Sequence, residues 1–113
     1  MFHLYGPQGP TLLSNGPTSV EMQGRWIVDC IKQIRSQGLK YIDPKKEASL
    51  RWKQRINELS DASLFPTTKS TYMGGSMPGK AFENTCYAGG IPQYVREIRA
   101  VLPELKGFRV VKA

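Results

Sequence analysis

Glycine and proline cluster in this chain, and the clusters forbid helix or sheet over long stretches. Gly6 to Pro17 holds three Gly and three Pro in twelve residues. Proline locks φ and removes a hydrogen-bond donor, whereas glycine admits left-handed backbone. Such a stretch is a shaped loop with a defined path. A second cluster, Gly74-Gly75-Ser76-Met77-Pro78-Gly79, lies in an irregular region from Pro66 to Gly90. A loop of that length inside a small domain is uncommon unless it is functional.

The regular elements must fit between these loops. Phe2 to Tyr5 reads as a short apolar strand stopped by Gly6-Pro7, with no earlier strand to pair with. This orphan strand is the first sign that upstream elements belong with it. A first helix is expected from a capping box at Thr18-Ser19-Val20-Glu21, with Val20, Ile27, Ile31 and Ile34 on one face and Cys30 beside them. It should end near Gln37, with Gly38 as a left-handed cap. A second helix is expected from Asp43-Pro44, with Ala48, Trp52, Ile56 and Leu59 as a core stripe, stopping before Phe65-Pro66. A third runs from about Pro92 to Val101, with Val95, Ile98 and Leu102 on one face and Pro103 ending it. Phe108 to Val111 reads as a terminal strand after Gly107.

Composition excludes several classes. At 113 residues the chain allows one small domain at most. The net charge of +7 comes from scattered Lys and Arg interleaved with acids, unlike the clustered footprint of a nucleic-acid module. A solvated basic surface, or attraction toward dinucleotide phosphates, explains it better. Two cysteines and one histidine make neither a disulfide framework nor a metal site. Cys30 is expected to be a buried thiol, and His3 an ordinary strand residue. No secretory leader or membrane-length run is visible, which points to a cytoplasmic location.

Two segments could carry chemistry. The Gly6–Asn15 loop feeds a helix whose start could stabilise an anion, although it fits neither the GxGxxG nor the Walker A spacing. On spacing alone, a rigid strand-to-helix turn is the favoured account. Ser70 to Lys80 could approach phosphates, or could be a surface loop packed by Tyr72 and Met77. No nucleophile–base pair, carboxylate pair or metal cluster is evident, so no catalytic residue is assigned.

Several motifs, taken together and in order, resemble the C-terminal part of Baeyer–Villiger monooxygenases of the cyclohexanone, phenylacetone and steroid monooxygenase type. They are Gly6-Pro7-Gln8-Gly9-Pro10, Leu13-Ser14-Asn15, Ser19-Val20-Glu21 followed by Trp26-Ile27, Leu64-Phe65-Pro66, Gly74 to Lys80, and Gly89-Gly90 with Tyr94. The resemblance extends through Gly107-Phe108. It implies an α+β, helix-rich piece of an α/β flavoprotein with two dinucleotide-binding domains: about three helices, short strands at both ends and long Gly/Pro loops. Residues 1–38 would be a strand-loop-helix of the FAD domain, and 39–113 a C-terminal helical and loop segment. It further implies FAD and NADPH as cofactors, O₂ and a ketone as substrates, an ester or lactone as product, and a setting in secondary metabolism.

Position by position, the resemblance makes Thr11, Leu12 and Leu13 a bulged loop lining the substrate pocket. Ser14, Asn15 and Gly16 would approach the isoalloxazine. Glu21 lies in the helix whose start faces the cofactor, where it could equally serve only as a cap. Ser70 to Lys80 matches a mobile loop closing over NADP and substrate, which makes Thr71 and Lys80 cofactor contacts. Two departures stand out. Thr71 occupies a position where the family often has Trp, which puts the NADP contact in question. Gly16-Pro17 replaces larger apolar residues, which implies an altered pocket. The GxGxxG loops, the family's His- and Trp-containing signature and its catalytic Arg lie outside this chain. The chain is therefore expected to be inactive alone, missing the N-terminal FAD and NADP domains. A non-catalytic accessory remnant is the alternative.

Overall fold

The computed structural model describes residues 1–113. Three helices carry the chain: α1 (Gly16–Ser36), α2 (Lys46–Asp61) and α3 (Ile91–Val101). Two strands, β1 (Leu39–Pro44) and β2 (Phe108–Lys112), pair antiparallel, with Leu39 opposite Lys112 and Pro44 opposite Phe108. Short 3-10 turns at Phe65–Thr67 and Thr71–Met73 are all the regular structure between α2 and α3. This is the α+β, helix-rich architecture expected from the resemblance.

Four local expectations are corrected. Phe2 to Tyr5 is not a strand. A strand needs neighbours for its N–H and C=O groups, and none lies beside it. Instead Tyr5 turns into the left-handed region at φ 53, and the His3 imidazole folds beneath Gly6, where a Cβ would come within 2.6 Å of Nδ1. The second strand of the pair is β1, whose partner lies far along the chain, so local pattern could not reveal it.

The cap of α1 is Asn15, not Thr18. Its side chain accepts the Thr18 N–H at 3.1 Å, and Pro17 fits the first turn, where no donor is needed. Glu21 therefore does not reach back. It pairs instead with Arg25 at 2.5 Å on an exposed face, which adds little stability. Gln37 does end the helix, and Gly38 follows at φ 62, as expected.

The buried line of α1 also differs from the expected one. Ser19, Gln23 and Cys30 are buried, while Val20 is exposed. Nor does Asp43-Pro44 open α2. A residue before proline is pushed toward extended backbone. Asp43 accordingly lies in β1 and accepts a hydrogen bond from Arg109 across the strands, and Lys45 caps α2 without a side-chain bond.

Two small apolar clusters hold these elements together. Cys30, Leu39, Leu102 and Leu105 pack with Trp26, Ile34, Ile42 and Phe108 between α1 and the strand pair. Ile56, Tyr87 and Tyr94 pack with Met22, Trp52, Leu59 and Ile98 between α2 and α3. Trp52 is a core residue, as its stripe predicts, stacked on Tyr87 at 5.7 Å between ring centres. Only 16 of 113 residues are buried, and the radius of gyration is 15.4 Å. A compact chain of this length would measure about 13 Å. Much apolar surface therefore stays uncovered, including Phe2, Leu4, Leu12 and Leu13.

Candidate cofactor- and substrate-facing site

The loop from Gly6 to Asn15 is anchored from two directions. Below it, the Gln23 carbonyl accepts the Tyr5 N–H at 2.8 Å. Beside it runs an extended strap, residues 83–87. The Gln8 N–H donates to the Thr85 carbonyl at 2.7 Å, and the Tyr87 N–H donates to the Gly9 carbonyl at 2.9 Å. Gly9 and Pro10 are consequently buried, and the chain emerges at Thr11. Leu12 and Leu13 project outward at 43% and 65% exposure, with no cover from this chain.

The same strap grips the second candidate loop. The Thr85 N–H and hydroxyl both donate to the Tyr72 carbonyl, at 2.9 and 3.1 Å, and the Glu83 N–H donates to the Met73 carbonyl. Thr85 thus bonds to both loops, which are more than fifty residues apart in sequence. Between them lies a recess of about 460 Å³, with Tyr5, Gly6, Pro7, Thr11 and Leu12 on one side and Tyr72 and Thr85 on the other. A larger cleft of about 560 Å³ lies across the Gly6–Gly9 turn and is lined by Phe2, Trp26, Trp52 and Tyr94 among others.

Of the residues singled out from the sequence, Thr11 and Leu12 line the recess. Leu13, Ser14, Asn15 and Gly16 continue past it into α1, and the Asn15 side chain is spent on the cap. A Cβ on Gly16 would lie 3.3 Å from the Tyr5 hydroxyl, so the small residue makes room for that ring. Thr71 opens the 3-10 turn, and Lys80 is exposed, with its stem alongside Gly74. Neither lines the recess.

Sequence reasoning missed the polar residues that hold the strap. Asn84 is buried and donates to the Ser60 hydroxyl at 3.0 Å, while its carbonyl accepts from the Cys86 N–H at 2.9 Å. Its own N–H donates to Asn57 on α2. The Tyr87 hydroxyl donates to the Glu97 carboxylate, which also accepts from Arg55 at 2.8 Å. Apart from Cys86, two residues along, every partner comes from another element, so no local signal could find these contacts.

Electrostatics here favour fixed structure over reactivity. Burial pushes both thiols, Cys30 and Cys86, above their ordinary range, so neither is an activated nucleophile. Burial, then the Glu97 carboxylate, drives the Tyr87 phenol far above the usual tyrosine range. Burial raises Tyr94 as well, against the hydrogen bond from Gln23. An unfolded chain releases phenolic protons near pH 10, whereas the native chain keeps these two beyond that. Stability should therefore be full below about pH 10 and fall as pH rises past it, by at most about 1.4 kcal/mol per pH unit for each phenol. Urea unfolding between about pH 9 and 11 measures this. Tyr87→Phe should flatten the decline, and an unchanged slope would refute the assignment.

No group of metal-ligating side chains is present, and no helix is long and apolar enough to cross a membrane. No family profile matches the chain. Individual proteins do. It is 54% identical over all 113 residues to the FAD-binding monooxygenase acrE of Aspergillus aculeatus, covering 19% of that protein. A cyclopentanone 1,2-monooxygenase from a Comamonas species is 37% identical over 91 residues, which is 80% of this chain and 16% of that protein. Cyclohexanone monooxygenase from Rhodococcus, solved with NADP⁺, superposes with a TM-score of 0.86 at 31% identity, over 97% of this chain and 20% of that one. Over its whole length the chain is homologous to one segment of FAD-binding monooxygenases of the Baeyer–Villiger type. A steroid monooxygenase solved with NADP agrees, with a TM-score of 0.84 at 27% identity over 99% of this chain. Against these members of the family, whose named activities are oxidoreductions, the chain spans about a fifth of the full length.

Proposed function

We propose that the chain is the C-terminal part of an FAD- and NADPH-dependent monooxygenase that inserts one atom of O₂ into a ketone, giving an ester or lactone. Residues 1–38 would complete the FAD domain and 39–113 would pack behind it. The observation that carries this reading is the 54% identity to an FAD-binding monooxygenase across every residue of the chain. The geometry supports it. Leu12 and Leu13 offer an uncovered apolar wall, and beside them the Gly16 N–H at the start of α1 has no acceptor within the chain. An apolar face next to a free donor at a helix start suits the edge of an isoalloxazine. Ser14, Asn15 and Gly16 would then lie nearest the ring, Thr11 to Leu13 would face substrate, and Thr71 and Lys80 would meet NADP.

When bound, the flavin supplies oxygen activation, and the nicotinamide cofactor supplies the electrons. This chain's residues exclude water and set the wall against which a ketone rests. No catalytic acid, base or nucleophile is placed here and no GxGxxG loop is present, so alone the chain should neither turn over nor hold a flavin. The setting proposed is cytoplasmic. In the test, this chain replaces the matching 113 residues of the Aspergillus aculeatus relative. The exchanged protein should retain FAD and consume NADPH in a ketone-dependent manner. The 113-residue chain alone should retain no FAD through gel filtration and consume no NADPH. A flavin-loaded exchange protein without ketone-dependent turnover would refute the reading, and so would an active isolated chain.

A further inference from the structure

Gln23 of α1 ties the Tyr5–Gly9 turn to α3. It is buried at 8% exposure, on the core side of α1. Its carbonyl accepts the Tyr5 N–H at 2.8 Å, and its amide donates to the Tyr94 hydroxyl of α3 at 3.3 Å. The turn rests directly on it. A Cβ on Gly9 would fall 2.9 Å from Gln23 Nε2 and 3.7 Å from the Tyr94 hydroxyl, so only glycine lets the backbone come this close. Both non-glycine residues of the turn that adopt positive φ are held by hydrogen bonds at their own N–H. Tyr5, at φ 53, donates to Gln23, and Gln8, at φ 65, donates to the Thr85 carbonyl. Left-handed backbone at such residues is strained and persists only where the surroundings impose it.

We infer that Gln23 is a positioning residue that holds the Tyr5–Gly9 turn in its strained path and thereby sets where Thr11, Leu12 and Leu13 stand. Without its carbonyl, Tyr5 loses the partner that offsets the left-handed conformation and relaxes toward extended backbone. The wall three residues beyond the buried Gly9-Pro10 then moves with it. Calling that wall a substrate surface rests on the proposed function, whereas the fastening itself does not.

Amide hydrogen exchange and NMR shifts on the full chain test this. In Gln23→Met, the Tyr5 amide should exchange about tenfold faster and the Leu12 and Leu13 resonances should shift, while Ile56 and Ser60 amides keep their protection. Gln23→Glu should behave like the parent, because a carboxylate accepts from both the Tyr5 N–H and the Tyr94 hydroxyl. Adding Tyr5→Gly to Gln23→Met should return the leucine resonances toward their original positions, since glycine adopts positive φ without penalty. Unchanged Tyr5 and leucine signals in Gln23→Met would overturn the inference. So would a uniform loss of protection at the Tyr5, Ile56 and Ser60 amides that Gln23→Glu fails to restore. If these results hold while the segment-exchange enzyme lacks turnover, the functional reading fails and the fastener stands.

Discussion

Ile56→Ala should destabilise the chain by about 3 kcal/mol, within the range for aliphatic side chains truncated in a well-packed site. Ile56 is fully buried at the centre of the cluster formed with Tyr87 and Tyr94, and Trp52 and Leu59 close over it. A chain with so few buried residues has little to spare, since total stabilities of small domains are about 5–15 kcal/mol. The effect should extend to the candidate site. Tyr87 is the end of the strap that carries both loops, so a cavity beneath it frees the strap from α2 and α3. Urea titration should show a lower midpoint with an unchanged slope, and Ile56→Val should cost only about 1 kcal/mol. A loss below about 1 kcal/mol for Ile56→Ala would mean that this cluster is not what stabilises the fold.

Gly75→Ala should strongly disrupt the second loop, although it adds a single methyl group. The added Cβ would lie 2.7 Å from both the carbonyl carbon and oxygen of Lys69, and backbone atoms cannot swing aside as a side-chain tip can. The segment must shift as a whole. It would strain the Gly75 N–H bond to the Ser70 carbonyl and, through the Thr71–Met73 turn, the Tyr72–Thr85 contacts. Overpacking of this kind costs about 1–3 kcal/mol. Gly79→Ala is the control, because Gly79 has φ 77 but open space around it, so only the left-handed penalty of about 1 kcal/mol applies. Thermal melts, with exchange rates at the Thr85 amide, compare the two. If Gly75→Ala loses no more than Gly79→Ala and Thr85 stays protected, the loop has more slack than its close packing implies.

Much of the fold is visible in short windows of sequence. The three helices, the α2 stripe through Trp52 and Ile56, the Gly38 cap and the final strand all follow from periodicity and punctuation over a few residues. These features are local, and local chemistry determines them. The same reasoning misassigned Thr18 and Asp43 as caps, because Asn15 stood one proline upstream of the first and a distant strand claimed the second. Resemblance points to Thr11 and Leu12, which line the recess, whereas the Thr85 strap and the buried amides of Gln23 and Asn84 leave no local mark in the sequence.

Where the backbone bends, which helices form and, through the ordered motifs, the likeness to FAD-binding monooxygenases can all be read from short stretches of the chain. That Phe2–Tyr5 is not a strand, that β1 pairs with β2, and that the two loops meet across Thr85 emerges only once the chain is folded. The difference is one of range. Caps, breaks and amphipathic stripes depend on neighbours within a turn or two. Strand pairing and the satisfaction of buried amides depend on partners brought in from tens of residues away.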